Sequence, residues 1–288
     1  MAFSYFRPSS LDEALRSYSE AGQEAAYLAG GTDLLVRYKK GAVSPGLVIS
    51  LNGLQDLDYV IEEDDRVLVG GLTRLRTLEL SPVIARNFPV LNDALRAMAS
   101  VQIRNVATMA GNVVNAAPSA DTAPPLLALG AEVVLQGLGG ERRLALKDFF
   151  LSPGRTALEP GQILTGFILP KPRRPAGGAY AKVSRRRAMD LALLGVAVQI
   201  ELEDDAQTCR RARIGLGVAG PTPRRAFKAE EHLAGRVADE AVLTQAGKLA
   251  AEESQCRTSL RGEAWYRREM IRVHVRRMGL LALERAAS

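Results

Sequence analysis

Ala25-Ala26-Tyr27-Leu28 runs directly into Ala29-Gly30-Gly31-Thr32-Asp33, and Leu34-Leu35-Val36-Arg37-Tyr38-Lys39 follows. The first four residues read as a short buried strand and the last six as a helix, so the order is strand, glycine loop, helix. Adjacent glycines let the backbone turn with positive φ and leave no Cβ between the amides and a ligand. Successive amides then face one concavity, and the start of the following helix adds partial positive charge. That arrangement suits a diphosphate. A plain tight connection would look the same, so the loop decides nothing alone. It matches neither the G-x-G-x-x-G loop nor the G-x-x-x-x-G-K-[ST] loop of the common nucleotide folds.

A second stretch, Gln102 to Asp121, is rich in glycine, asparagine and threonine and has neither a helical nor a strand period. It reads as a ligand loop. Thr108, Gly111 and Asn112 offer backbone amides and short polar groups, while Asn115, Ser119 and Asp121 offer hydrogen-bonding side chains. A ligand with many hydroxyls and one charged bridge would match such a surface. An asparagine-rich turn holding its own backbone is the alternative.

Working outward, Ser9-Ser10-Leu11-Asp12-Glu13 has the form of a capped helix start, with acids in the first turn. Leu47 to Ser50 reads as a strand ending at the turn Asn52-Gly53. Leu57 to Ile61 and Arg66 to Val69 form a hairpin around acidic residues. Helices are expected from about Arg74, over Val90 to Ala99, and from Pro124-Pro125 to Leu129; strands over Glu132 to Leu135 and Ile163 to Leu169. Lys171 to Gly178 then combines proline, glycine and charge, the composition of a domain boundary. Three strands (179–184, 193–201, 211–219) and helices from about Ala238 suggest a small α+β domain.

The two loops together, A-G-G-T-D-L and T-M-A-G-N-x-x-N-A-x-P-x-A-D-T-A-P, resemble the flavin subunits of molybdenum hydroxylases, the family of carbon monoxide dehydrogenase, 4-hydroxybenzoyl-CoA reductase and xanthine dehydrogenase. The resemblance covers essentially the whole chain, including Ala181-Lys182-Val183-Ser184-Arg185-Arg186. It implies an α+β protein: an FAD-binding fold of the vanillyl-alcohol-oxidase/p-cresol-methylhydroxylase type over 1–174, with subdomains of about 1–55 and 56–174. A C-terminal domain over 178–288, with a three-stranded antiparallel sheet and helices, completes it. Carried over residue by residue, Ala29, Gly30, Gly31, Thr32 and Asp33 hold the FAD diphosphate. Thr108, Gly111, Asn112, Asn115 and Asp121 line the second loop, with Asp121 toward ribityl or ribose hydroxyls. Lys182 matches a flavin-proximal lysine, and Leu164 a backbone contact. The chain departs from the pattern at Asp190-Leu191, where some relatives place an aromatic residue, so Leu191 would be the apolar lid.

The implied role is electron transfer, with no catalytic residue for substrate chemistry in this chain. Electrons arrive from a molybdopterin-binding large subunit through a small subunit with two 2Fe–2S clusters, in a dimer of heterotrimers, and leave to an external acceptor. Two other readings stay open: a stand-alone FAD-dependent oxidoreductase of the same fold, and a basic binding module without cofactor. Two cysteines, Cys209 and Cys256, and two histidines, His232 and His274, have no ligand spacing, so no metal site is expected. No apolar run spans a bilayer and no signal segment opens the chain, so the expectation is cytoplasmic, without membrane insertion. The net charge of +6 comes from arginine pairs scattered after residue 170 with few aromatics between them. That pattern favours contact with an acidic protein over nucleic-acid binding. Arg268, Arg272 and Arg276 make a basic helix stripe, while Trp265 and Tyr266 read as packing residues.

Overall fold

The computed structural model describes residues 3–186 and 188–287, so Arg187 of the Arg185–Arg187 run lies outside the described residues. The chain opens with β1 (Ser4–Phe6), α1 (Leu11–Ala21), β2 (Ala25–Leu28), α2 (Leu34–Lys39) and β3 (Leu47–Ser50). Ser10 caps α1 as expected, its hydroxyl accepting from the Glu13 amide at 3.2 Å. The strands make a parallel sheet in the order β1-β3-β2. Ala14 and Leu15 of α1 pack on Ala25 and Ile49 in a core of its own.

A hairpin follows, β4 (Val60–Glu62) with β5 (Arg66–Gly70), and then six short helices: α3 (Leu75–Leu80), α4 (Pro82–Asn87), α5 (Pro89–Ala97), α6 (Val101–Arg104), α7 (Met109–Val114) and α8 (Ala123–Leu129). Next come β6 (Glu132–Gly137), β7 (Gly140–Ala145), the small hairpin β8 (Phe150–Ser152) with β9 (Arg155–Thr156), and β10 (Ile163–Pro170). A five-stranded antiparallel sheet runs β4-β5-β10-β6-β7. Central β10 is buried from Ile163 to Leu169, so its sequence shows a continuous apolar run and not alternation. The edge strand β7 carries Glu141, Arg142 and Arg143; charge on an edge discourages further pairing and hides the strand from a hydrophobic reading.

The stretch 102–121, expected as one aperiodic loop, contains α6 and α7. Ser100 and Thr108 cap them, accepting from the amides of Ile103 and Gly111. Helices of four and six residues are too short to display a period, so side-chain caps and tertiary packing make them.

The C-terminal part comprises β11 (Ala176–Val183), β12 (Leu194–Leu202), β13 (Cys209–Gly217), β14 (Arg224–Arg225), α9 (Phe227–Leu233), α10 (Glu240–Glu252) and α11 (Ala264–Ala286). The three expected antiparallel strands are present, and two-residue β14 adds a fourth at the edge. Helix α11 lies against β11 and β12. Arg285 near its end grips Asp93 of α5 (2.7 and 3.2 Å) and the Gly178 carbonyl (2.7 Å), joining this sheet to the preceding helices. Tyr180 and Ala197 belong to the same buried cluster as β10 and α8. Trp265, expected as a packing residue, is instead 63% exposed, edge-on against Tyr266; it stands in the first turn of α11, and its indole N–H donates to the Glu263 carboxylate. Among the described residues no helix is long and apolar enough to cross a membrane.

Candidate functional site

The glycine loop and the second stretch meet. A Cβ at Gly30 would lie 2.2 Å from the Val106 carbonyl oxygen and 2.8 Å from the Ala107 Cα, far inside van der Waals contact. Only glycine lets the two segments touch there. Gly31 sits at φ +74°, the left-handed region that side chains disfavour. Between the segments opens a cavity of about 620 Å³, within the range that holds a cofactor. Its wall includes Ala29 to Asp33, Thr108, Gly111, Asn112, Asn115, Asp121 and Leu164. All the site residues read from the sequence therefore converge except Lys182, which stands one residue back.

The two segments present different chemistry. In the first, the amides of Gly30, Gly31, Thr32 and Asp33 donate to no acceptor among the described residues, and backbone donors without partners are rare unless a ligand or water satisfies them. Helix α2 is only six residues long, so its dipole adds little and the amides carry the anion affinity. In the second, the amides are engaged: Met109 donates to Thr73 (3.1 Å), Ala110 to Gly71 (3.0 Å), Gly111 to the Thr108 hydroxyl (3.1 Å) and Asn112 to the Thr108 carbonyl (3.1 Å). The expectation that Gly111 and Asn112 offer amides to a ligand is thus corrected: α7 consumes them, and this segment has side chains to offer instead. The Asn112 Oδ1 accepts from the Thr122 hydroxyl at 2.6 Å, which fixes the amide plane.

Asp121 is 7% exposed and doubly held: the Tyr180 hydroxyl donates at 2.9 Å and the Lys182 ammonium at 2.8 Å. Burial raises its carboxyl above the usual carboxylate range, while Lys182 and Tyr180 pull it back down. Burial and the neighbouring Asp121 charge push the Tyr180 phenol well above its ordinary value. Lys182 also donates to the Ala97 carbonyl at 3.3 Å. It is not part of the cavity wall; it reaches the site through Asp121.

A residue that sequence reasoning missed is Arg104. It is buried and pairs with Glu79 of α3 through two nitrogens, at 2.8 and 3.0 Å. Burial alone would raise the Glu79 carboxyl; Arg104 and Arg76 hold it below its ordinary value. The signal was available, since an arginine with no acid near it in sequence needs a counter-ion from elsewhere if it is buried. The cavity lining also includes the apolar Leu51, Leu72, Met98, Leu158 and Leu164, together with Met189 to Leu191. The turn carrying Leu191 is organised by the Asp190 carboxylate, which accepts from the amides of Arg185 (3.0 Å), Arg186 (3.2 Å) and Leu191 (3.0 Å). Free amide donors, fixed carbonyl and carboxylate groups and apolar side chains lining one cavity suit a molecule with an anionic bridge, hydroxyls and a flat ring.

Residues 1–172 match the family described as the FAD binding domain in molybdopterin dehydrogenase, and residues 179–282 match the CO dehydrogenase flavoprotein C-terminal domain. The chain belongs to this family. It is an FAD-binding flavin subunit of the molybdenum hydroxylases, a component of a multi-subunit dehydrogenase. Among curated proteins, the flavin subunit is 33% identical over 285 residues to the carbon monoxide dehydrogenase medium chain of Afipia carboxidovorans, covering 99% of this chain and 96% of that one. It is 31% identical over 285 residues to the 6-hydroxypseudooxynicotine dehydrogenase complex subunit alpha of Paenarthrobacter nicotinovorans, covering 99% and 96%. Among solved structures, reconstituted CO dehydrogenase from Oligotropha carboxidovorans superposes with a TM-score of 0.94 at 32% identity over 99% of both chains. Quinoline 2-oxidoreductase from Pseudomonas putida 86 gives 0.92 at 26% identity, covering 100% of this chain and 99% of that one.

Proposed function

We propose that the flavin subunit holds FAD in the 620 Å³ cavity and relays electrons from an iron–sulfur subunit to an external acceptor. The observation that carries this reading is the run of unpartnered amides from Gly30 to Asp33, lining the same cavity as the side chains of Thr108, Asn112, Asn115 and Asp121. FAD supplies the redox chemistry and can exchange electrons with one-electron and two-electron partners. The chain's own work is to bind, orient and shield. Gly30 to Asp33 donate to the diphosphate. Asn112, Asn115 and Asp121, with Thr108 and Gly111 shaping the turn beneath them, receive the hydroxyl-bearing chain. Leu164 and Leu191 bracket the ring, and Lys182 keeps the Asp121 carboxylate charged and in place.

In the full assembly the flavin domain, 1–174, and the C-terminal domain, 178–288, work with a molybdopterin-binding large subunit and a small subunit bearing two 2Fe–2S clusters, as a cytoplasmic dimer of heterotrimers. Purifying the tagged subunit from cells that express its partners tests this. Two further polypeptides, molybdenum and iron should travel with it, and reducing the iron–sulfur subunit should bleach the flavin absorbance. A yellow monomer that turns over a substrate alone would instead favour the stand-alone flavoenzyme.

A further inference from the structure

Several of the clustered arginines after residue 170 have found acids: Arg211 pairs with Glu201, Arg225 with Glu230, Arg272 with Glu269 and Arg276 with Glu240. Arg257, Arg261 and Arg267 have not. Among the described residues none of the three makes an ion pair, and all three line a second cavity, also of about 620 Å³. No acidic residue is in its wall.

Arg267 is the telling member. Its side chain is 3% exposed, and it donates through Nε to the Leu193 carbonyl at 3.1 Å, through Nη2 to the Ser259 hydroxyl at 2.8 Å and through Nη1 to the Arg257 carbonyl. Neutral acceptors therefore orient the guanidinium and pin the 257–259 segment, but its charge has no counter-ion. Burial, with Arg257 and Arg261 close by, disfavours its charged form. It also stands in the first turn of the 23-residue α11, where the helix dipole disfavours a cation. A buried charge without a partner is costly, and each of these effects would be relieved by an anion.

The lining also takes Pro118, Ser119 and Pro153 from the flavin domain. Val218, also in the wall, has φ +60°. A β-branched residue there is strained, and such strain gathers at ligand sites. Its amide donates to the Pro118 carbonyl at 2.9 Å, which ties the strained turn to the flavin domain. Ser119 lines both cavities.

We propose that this second cavity is a binding site for a small molecule carrying a diphosphate or closely paired phosphates, gripped by Arg257, Arg261 and Arg267. Guanidinium groups bind phosphate oxygens in pairs, and a cavity of this volume exceeds what one phosphate fills. The inference stands on this cavity alone and does not depend on the contacts assigned to FAD.

Calorimetric titration of the FAD-saturated subunit at constant ionic strength tests it, since the Gly30–Asp33 cradle is then filled and cannot answer for the second cavity. Sodium diphosphate should bind saturably, one per chain, and Arg257→Gln/Arg261→Gln should weaken it by about tenfold or more. Thermal unfolding without anion should find that double variant no less stable than the parent, because two repelling charges are gone. The control Arg268→Gln/Arg272→Gln, with the same change of net charge on the exposed face of α11, should shift binding by no more than about twofold. Binding of ADP as well would mark a nucleotide-borne diphosphate, and diphosphate alone the free anion. No saturable binding, or equal weakening in both double variants, would overturn the assignment.

Discussion

The two segments that meet at Gly30 face one cavity and solve the same problem in opposite ways. The first leaves its backbone bare: four successive amides from Gly30 to Asp33 lack partners. The second folds into two short capped helices, spends the amides of Met109 to Asn112 on Thr73, Gly71 and Thr108, and works through side chains, which buried ion pairs of Arg104 with Glu79 and Lys182 with Asp121 hold in place. Bare amides need only glycine and a tight approach; positioned side chains need counter-ions from distant parts of the chain. The first segment should therefore be sensitive to added bulk and indifferent to side-chain chemistry, and the second the reverse.

The largest expected effect is at the anchor of the second segment. Arg104→Met removes the buried member of the pair and leaves Glu79 with Arg76 alone, and should cost about 3 kcal/mol in chemical denaturation; an intact midpoint would mean that the segment does not depend on that pair. Lys182→Met comes next, at roughly 2 kcal/mol near neutral pH, softened because Asp121 can take up a proton. Its sign with pH is fixed. Without Lys182 the Asp121 carboxyl rises further above its ordinary 3.8, so the charged form carries a penalty in the folded state that is absent when both states are protonated. The stability gap between variant and parent should widen as pH rises from about 4 toward neutrality, and a gap that narrows over that range would remove Asp121 from the account.

Gly30→Ala should follow, with about 1–3 kcal/mol of overpacking against Val106 and at least a tenfold weaker hold on FAD by fluorescence titration. Smallest is the pair that separates the two strategies. Asn112→Ala should weaken FAD binding by about 0.5–1.5 kcal/mol, while Thr32→Ala, which leaves its amide in place, should change it by less than about 0.5 kcal/mol. Equal losses at both positions would erase the distinction.

Much of this site was legible before any fold was known, because Ala25 to Lys39 and Thr108 to Asp121 have compositions that only close backbone approach or local polar contacts require. The α6 and α7 helices were not legible, since neither is long enough to show a period. Arg104 passed unremarked because its counter-ion lies 25 positions away in sequence. The same holds for Lys182, which is 61 positions from Asp121, and for the unpaired Arg267, whose isolation is visible only once every acid has been placed.

Sequence by itself determined the strand–loop–helix order around the glycine cradle, the three long strands of the C-terminal sheet and the family resemblance, all of which rest on neighbouring residues and short-range backbone preferences. Tertiary structure alone decided that the two segments touch at Gly30, which amides stay without partners, and which buried charges are balanced. Those are properties of contacts between distant residues, and electrostatic balance in a low-dielectric interior depends on distance in space and not along the chain.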